Sequence, residues 1–301
     1  IIDEISMVSV PQLSYIHGRL QQIKGTSQTS YFGNVSILAV GDFYQLPPVC
    51  PPTPLCFPNK EILKDLWNTL FQKVELTEIM RQRNDAVFAN MLNRLRVRKE
   101  NDPLQENDIK LLESRTVNEN VLTAPPDALH LFFRNDDVSK HNDAKIATLN
   151  TEKYTVQAED VDQTDGRIIK VNTTPHKTSR NDNTSLAPSL KLAVGARTML
   201  IANVDVSDGL CNGVSGIIKG IEFHNSTNMP SVVYVKFDSD RIGVKARSAQ
   251  FIPPQYSGCV PIAPRKEVFK LKGKTYTTTR QQMPLKLAWA VTIHKVQGQT
   301  T

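Results

Sequence analysis

Cysteine and long apolar runs are both scarce in this sequence. The chain of 301 residues has four cysteines, Cys50, Cys56, Cys211 and Cys259, which form no CxxC pair and no zinc-type cluster. We therefore expect reduced thiols, as in a nuclear, mitochondrial or cytoplasmic protein. The sequence has no apolar run of about 18 residues and does not open on a secretory signal. It predicts neither a membrane span nor secretion.

A phosphate-binding glycine loop of the pattern G-x-x-x-x-G-K-[ST] is also absent. Gly273, Lys274 and Thr275 imitate the end of this loop, but Val268 stands where its first glycine is required. The stretch that follows is rich in threonine and favours a strand, whereas the loop must open a helix. We therefore expect no loop of this type within these residues.

The composition is that of a folded, basic protein. Hydrophobic residues make up 40% and charged residues 22% of the chain, and the net charge is +6. This length is typical of two domains, and a positive charge is compatible with a polyanionic partner such as nucleic acid.

Strand and helix patterns alternate along the first third of the chain, which is typical of an α/β fold. An apolar run over 35–40, closed by Gly41, predicts a buried parallel strand. Apolar residues at helical spacing predict helices over 11–23, 61–71, 85–99 and 136–149. Further strands are predicted over 129–133, 196–204, 213–223, 231–237 and 287–293. Residues 151–190 are polar and poor in aromatic side chains, and we expect them to be irregular.

Two polar turns follow strand-like runs near the start of the chain. Asp3 and Glu4 follow two isoleucines, and residues 41–48, GDFYQLPP, follow the run over 35–40. Ligands bind at the carboxyl ends of strands in α/β sheets, where carboxylates suit Mg²⁺ and the activation of water. The Gln45 amide suits a phosphate oxygen or an attacking water. By themselves, Asp3 and Glu4 would favour an acidic helix cap. The GDFYQLPP string is more specific and is harder to explain as an ordinary turn.

These turns and several later stretches, in the same order, resemble the PIF-type helicases of superfamily 1. The stretches are 3–7 (motif II), 41–49 (motif III), 76–82 (motif IV), 194–200 with 210–213, and 289–300 (motif V). The resemblance spans essentially the whole chain. The connecting sequence is similar to helicases encoded by rolling-circle (Helitron-type) transposons.

The resemblance implies a fold of two RecA-like P-loop NTPase motor domains, both truncated, with a small β-barrel inserted in the second. The implied boundaries are 1–75 for the first motor domain, 76–204 and 281–301 for the second, and 205–280 for the barrel. The Walker A loop and motif VI of the family would precede and follow these residues. We therefore expect an incomplete fragment that binds ATP poorly and is inactive by itself.

The resemblance also implies ATP and Mg²⁺ as cofactors and assigns the site residues. Asp3 would hold Mg²⁺, Glu4 would activate water, Gln45 would link hydrolysis to DNA, and Arg81 would reach the terminal phosphate. Motif V would contact ATP through Gln297 and Gly298 and the DNA backbone through Thr292, His294, Lys295, Gln297 and Thr300. Without the motifs, Arg81 would be a surface arginine paired with Glu78 or Asp85, and motif V an ordinary helix start.

A basic segment over 265–280 carries interleaved aromatic residues, Phe269 and Tyr276. Basic and aromatic side chains together suit single-stranded DNA through phosphate attraction and base stacking. The candidate contacts are Lys270, Lys272 and Lys274. A lysine-protected hairpin edge explains the same pattern equally well.

The implied activity is ATP-dependent 5′→3′ movement on single-stranded DNA with unwinding of forked DNA. The family context is DNA repair, recombination, telomere maintenance or transposition, and we expect a monomer in the nucleus or mitochondrion of a eukaryote or in a bacterial cytoplasm. One alternative is a non-catalytic remnant that binds single-stranded DNA, and another is a P-loop ATPase acting on something other than DNA.

Overall fold

The computed structural model divides the chain into two compact units, Ile1–Ala124 and Pro125–Gln299. The residues that it describes are 1–26, 29–48, 53–56, 65–78, 80, 85–116, 125, 128–178, 182–224, 228–249 and 251–296. The boundary between the units lies at residue 124, whereas the motifs imply boundaries at 75, 204 and 280. Those domain assignments stay predictions.

The described elements are of mixed α/β type, which confirms the predicted α/β class. The α-helices are α1 (Val10–Lys24), α2 (Leu66–Leu70), α3 (Ala86–Val97), α4 (Glu106–Glu113), α5 (Asn135–Ala147) and α6 (Val244–Ala249). The strands are β1 (His130–Phe132), β2 (Lys153–Gln157), β3 (Glu159–Thr164), β4 (Arg167–Asn172), β5 (Ser189–Ala193), β6 (Arg197–Leu200), β7 (Ser215–Phe223), β8 (Pro230–Phe237), β9 (Val260–Ile262), β10 (Arg265–Phe269), β11 (Thr277–Gln282), β12 (Leu285–Leu287) and β13 (Ala290–Thr292). No described helix has the length and apolar character needed to cross a membrane.

Helices α1 and α3 form where the sequence predicts helices, because their ends are capped locally. At the start of α1, Ser9 and Gln12 form a reciprocal capping box, and Gly25 ends the helix in a left-handed conformation. At the start of α3, the Asp85 carboxylate accepts a hydrogen bond of 3.0 Å from the backbone N–H of Phe88. The predicted helix over 61–71 is confirmed as α2, and residues 61–64 lie outside the described part.

The run over 35–40 is extended, but it is not the buried strand that the sequence predicts. Ala39 forms a single parallel bridge with Ile2, and the side chains of Leu38 and Val40 are 57% and 45% exposed. Among the described residues only the chain around Ile2 pairs with this run. One face of the run therefore stays uncovered, and the prediction of burial is wrong for that face.

The core of the second unit lies on a five-stranded antiparallel sheet of order β12-β6-β7-β8-β9. Fully buried Ile218, Val233, Val235 and Leu285 belong to its main apolar cluster. A separate two-stranded sheet pairs β1 with β13 in parallel. Parallel strands need a long connection, and the chain between these two includes helix α5. The predicted strands over 129–133, 196–204, 213–223, 231–237 and 287–293 are each confirmed at least in part.

Residues 151–190 are not irregular, because β2, β3 and β4 lie within them and β5 begins there. Strand β2 pairs with β5, while β3 and β4 join β10 and β11 in a four-stranded sheet of order β10-β11-β3-β4. Buried and more exposed side chains alternate along β3, but the buried ones are Asp160 and Asp162. Since these inward residues are charged, the usual apolar signal of a strand is missing from the sequence. The pairings among the described strands leave both larger sheets open, so the predicted barrel is not seen as a closed one.

Buried Asp162 is held by side chains from three segments. Thr278 Oγ1 donates to its Oδ1 at 2.7 Å, Asn172 Nδ2 donates to its Oδ2 at 3.2 Å, and His176 Nε2 lies 3.1 Å from both oxygens. Burial acts to raise the pKa of Asp162, but these hydrogen bonds outweigh burial and hold the pKa below its ordinary value of 3.8. The ionised carboxylate is therefore part of the fold.

We expect the stability of the second unit to fall in acid through Asp162. A carboxyl group whose pKa is lowered by folding contributes stability above its unfolded pKa, and the contribution is lost as the pH falls through its folded pKa. The loss should begin near pH 3.8 and continue below it. Urea unfolding followed by Trp289 fluorescence across this window is the measurement. Asp162→Asn should flatten the pH dependence, and an unchanged dependence in that variant would contradict the assignment.

Candidate functional site

The two polar turns predicted to meet the nucleotide lie side by side. Ile2 donates to Leu38 O at 2.8 Å and accepts from Val40 N at 2.8 Å, so the two extended runs are parallel neighbours. Asp3 directly follows the first run and Gly41 directly follows the second. Both turns therefore stand at the same edge, as predicted from their positions after apolar runs.

Asp3 and Glu4 form a tight turn at that edge. The Asp3 side chain is exposed, and its Oδ1 accepts a hydrogen bond of 2.9 Å from the backbone N–H of Glu4. Glu4 adopts a left-handed conformation, with φ 51° and ψ 48°. This conformation is uncommon for a residue other than glycine, and such backbone strain is concentrated at functional sites.

Gly41 joins the two turns through a close backbone contact. Ile5 N donates to Val40 O at 3.0 Å, and a Cβ atom placed on Gly41 would lie 2.7 Å from Ile5 N. Gly41 also has a φ of +151°, which residues with side chains rarely adopt. The glycine of the GDFYQLPP string is therefore required by the approach of the Asp3–Glu4 turn.

Gly41→Ala is expected to destabilise the Ile1–Ala124 unit by about 1–3 kcal/mol, because the added methyl group meets backbone atoms that cannot move independently. Urea unfolding followed by Trp67 fluorescence in a Trp289→Phe background measures this loss. Gly18→Ala in α1 is the control, because a Cβ there meets nothing within 4 Å. Equal stability of the two variants would show that the close approach has no energetic consequence.

Gln45 is held on the second turn by Asp42. Gln45 N donates to Asp42 O at 2.9 Å, and the side-chain amide lies 3.4 Å from Asp42 Oδ2. The Gln45 side chain is exposed, as a residue that meets a phosphate or water must be. Phe43, in the same turn, packs edge-to-face against Trp67, with ring centroids 5.2 Å apart.

Arg96 is a member of this site that the sequence analysis missed. It lies in the last turn of α3 and donates from Nη2 to Asp42 Oδ1 at 2.9 Å. Its guanidinium also lies 5.1 Å from the centre of the Tyr44 ring. Arg96 and Asp42 are 54 positions apart, and no local sequence pattern distinguishes Arg96 from the neighbouring arginines. Arg81 itself lies outside the described residues, so its role stays a prediction.

The motif V stretch is positioned by β13 and by an amide from α5. Asn142 is buried, donates to Ala290 O at 3.0 Å and accepts from Ala290 N at 2.9 Å. Buried Thr292 ends β13, and the exposed side chains of His294 and Lys295 follow in a short 3₁₀ turn. Gln297, Gly298 and Thr300 lie outside the described residues. Asn142 was not singled out in the sequence because its partner is remote.

The predicted DNA-contacting lysines stand together at one hairpin. Lys270, Lys272 and Lys274 are exposed in the connection between β10 and β11, and Lys274 Nζ lies 5.9 Å from the centre of the Tyr276 ring. Gly273-Lys274-Thr275 belongs to this connection between antiparallel strands, which confirms that it is no phosphate loop.

Arg280 is the exception in the basic segment. Its side chain is 0% exposed, and its guanidinium donates to both oxygens of equally buried Asp160, at 2.8 and 2.7 Å. Although it belongs to the basic segment over 265–280, Arg280 points into the four-stranded sheet and serves its structure.

Two sequence profiles of known families match parts of this chain. The profile of PIF1-like helicases matches residues 1–105, and the profile of the 2B domain of DNA helicase Pif1 matches residues 182–221. Over these two stretches the chain is similar to the PIF1-like helicases. The resemblance carried by the motifs is thereby confirmed.

Individual PIF1-like proteins agree with the profiles. The chain is 31% identical to the ATP-dependent DNA helicase PIF1 of Xenopus laevis over 99% of its own length and 40% of that protein. The Pif1 helicase crystal structure from Candida albicans matches with a TM-score of 0.67 and 25% identity, over 99% of this chain and 64% of that one. Bacteroides Pif1 in complex with ADP-AlF3 and single-stranded DNA matches with a TM-score of 0.60 and 25% identity, over 99% of this chain and 62% of that one.

The chain spans about two fifths of the length of the curated relatives that it matches. The matched region includes both polar turns, the hairpin lysines and β13.

Proposed function

We propose that this chain provides part of an ATP-dependent 5′→3′ DNA helicase, in which ATP hydrolysis drives movement along single-stranded DNA and unwinding of forked DNA. The observation that carries the proposal is the junction of the Asp3–Glu4 turn with the Gln45 turn through Gly41. This junction places a carboxylate pair and an exposed amide at one strand edge, in a chain similar to the PIF1-like helicases.

Asp3 and Glu4 supply the acidic side of the nucleotide site. Asp3 fits a role in holding Mg²⁺ because its carboxylate is exposed, and nucleotide-bound Mg²⁺ takes only one or two protein carboxylates and keeps several waters. When bound with ATP, Mg²⁺ would offset the charge on the phosphates. Glu4 accepts a proton from the attacking water, and Gln45 donates its amide to that water or to a phosphate oxygen. Arg81 and the motif V residues Gln297 and Gly298 complete this proposed ATP site.

The DNA side consists of donors that suit phosphate oxygens. Thr292, His294 and Lys295 follow β13 and contact the backbone together with Gln297 and Thr300, while Lys270, Lys272 and Lys274 attract it from the hairpin. In this proposal the β-rich residues 205–280 are the inserted barrel between parts of a RecA-like motor domain. A monomer acting in DNA repair, recombination, telomere maintenance or transposition is the proposed context, in the nucleus, mitochondrion or bacterial cytoplasm.

Phosphate release from ATP tests the proposal, measured with and without single-stranded DNA. It is compared between this chain and a chain extended at both ends to the length of the curated relatives. We expect DNA-stimulated hydrolysis in the extended chain and salt-sensitive DNA binding in both. Forked substrates with a single 5′ or 3′ tail then test the direction of movement.

One alternative is a remnant that binds single-stranded DNA without hydrolysis, which the exposed lysines of the β10–β11 hairpin would support by themselves. DNA binding without turnover in either chain would support that alternative and overturn the motor function. Hydrolysis that is indifferent to DNA would instead indicate an ATPase acting on another partner.

A further inference from the structure

Phe133 is an exposed aromatic residue that directly follows strand β1. Its side chain is 82% exposed, whereas Phe132, one residue earlier, is half-buried and packs against His141 of α5, with ring centroids 5.6 Å apart. Successive side chains of a strand point to opposite faces. Phe132 therefore contributes to the packing of α5 on β1, and the ring of Phe133 is left open to an apolar or aromatic surface.

Backbone pairing fixes the position of Phe133 beside the motif V stretch. Strand β1 pairs in parallel with β13, and Phe132 is the register partner of Thr292. The backbone N–H of His130 donates to Trp289 O at 2.9 Å at the start of the same pair. Neighbouring strands lie about 4.8 Å apart, and parallel strands end at a common edge. Phe133 and the residue after Thr292 therefore leave the two strands side by side.

The two strands offer different chemistry at this edge. After β13, the exposed side chains of His294 and Lys295 supply donors that suit phosphate oxygens. After β1, residues 134–137 contain one cation and two acids, so their net charge is negative. Because like charges repel, these acids disfavour a phosphate near Phe133. A DNA backbone is therefore expected to follow the β13 side, which leaves a base to approach Phe133.

We propose that the ring of Phe133 stacks on a base of the single-stranded DNA whose backbone follows the motif V stretch. The inference rests on the proposed DNA-binding function and adds a contact to a base, whereas the residues of the proposed DNA side all donate to phosphate oxygens. Every base has a π-face, so the contact is independent of the DNA sequence. Stacking also removes the apolar surface of the Phe133 ring from water.

Fluorescence anisotropy of a labelled oligo(dT) strand binding to this chain tests the contact, measured over a series of salt concentrations. Phe133→Ala is expected to weaken binding by roughly 5- to 150-fold, the range for the loss of one stacked base. The slope of log K against log salt should stay unchanged, because the lost contact neutralises no phosphate. Phe133→Tyr keeps an aromatic face and is expected to retain most of the affinity.

An abasic strand of the same length separates a lost base contact from a change in fold. It keeps the phosphates and lacks the bases, so it should bind the unchanged chain and Phe133→Ala with equal affinity. Phe251→Ala is the matched control, because Phe251 is 87% exposed in the same unit but lies in the connection between α6 and β9. This control variant should bind oligo(dT) as the unchanged chain does.

The outcomes separate this inference from the proposed function. Oligo(dT) binding that is unaffected by Phe133→Ala would overturn the stacking contact and leave the DNA-binding function standing. A loss that is equally large on the abasic strand, or in Phe251→Ala, would also overturn it, because the effect would then not come from a base on Phe133. No binding of oligo(dT) by the unchanged chain would overturn both the DNA-binding function and this inference.

Discussion

Arg280→Met is expected to lower the free energy of unfolding of the Pro125–Gln299 unit by about 3–5 kcal/mol, the usual loss when one partner of a buried ion pair is removed. Arg280 and Asp160 are both 0% exposed and meet through two hydrogen bonds, and Arg280 also donates to Leu186 O at 3.1 Å and to His176 O at 2.5 Å. Without the guanidinium, Asp160 keeps only the backbone N–H of His176, at 2.8 Å. A buried carboxylate with one donor is strongly disfavoured.

Urea unfolding followed by Trp289 fluorescence in a Trp67→Phe background measures this loss. The double variant Arg280→Met with Asp160→Leu should recover much of the stability, because it removes both charges and leaves apolar groups of similar volume. Lys266→Met is the surface control, since that side chain is exposed on the neighbouring strand β10. A loss no greater than that of Lys266→Met would show that the buried pair does not stabilise the unit.

Glu4→Gln should reduce DNA-stimulated ATP hydrolysis by roughly 10²- to 10⁴-fold, the range that a positioned general base contributes. The expectation follows from the position of Glu4 beside Asp3 and next to the Gly41 turn, at the end of the extended run that bridges in parallel to Ala39. Glutamine keeps the size of the side chain but cannot take a proton from water. The effect should therefore appear in turnover, whereas nucleotide affinity should change little.

The measurement needs the extended chain, with phosphate release and binding of a fluorescent ATP analogue recorded on the same samples. Glu75→Gln is the matched acid-to-amide control, because Glu75 is exposed and pairs only with Lys73, at 3.2 Å, among the described residues. Turnover retained in Glu4→Gln, or lost equally in Glu75→Gln, would remove Glu4 from the catalytic role.

Features with short-range causes were predictable from the sequence. Helix α1 has its capping box and terminal glycine within a few residues of its ends, and α3 has its aspartate cap. The polar turns at Asp3 and Gly41 were predictable because each directly follows an apolar run, and parallel strands end at a common edge. The family's motif order placed the remaining candidates, of which Arg81, Gln297, Gly298 and Thr300 lie outside the described residues.

By itself, the sequence determined the α/β class, the helix ends and the chemistry of the motif turns, since these depend on neighbouring residues. Only the tertiary structure decided that β3 is a strand, because its inward residues are aspartates whose partners are remote. Asp160 meets Arg280 from 120 positions away, and this contact places an arginine of the basic segment in the core. The contact of Arg96 with Asp42, 54 positions apart, was likewise decided by packing. A charged side chain is expected at the surface from the sequence, and only its partner in the folded chain shows that it is buried or paired.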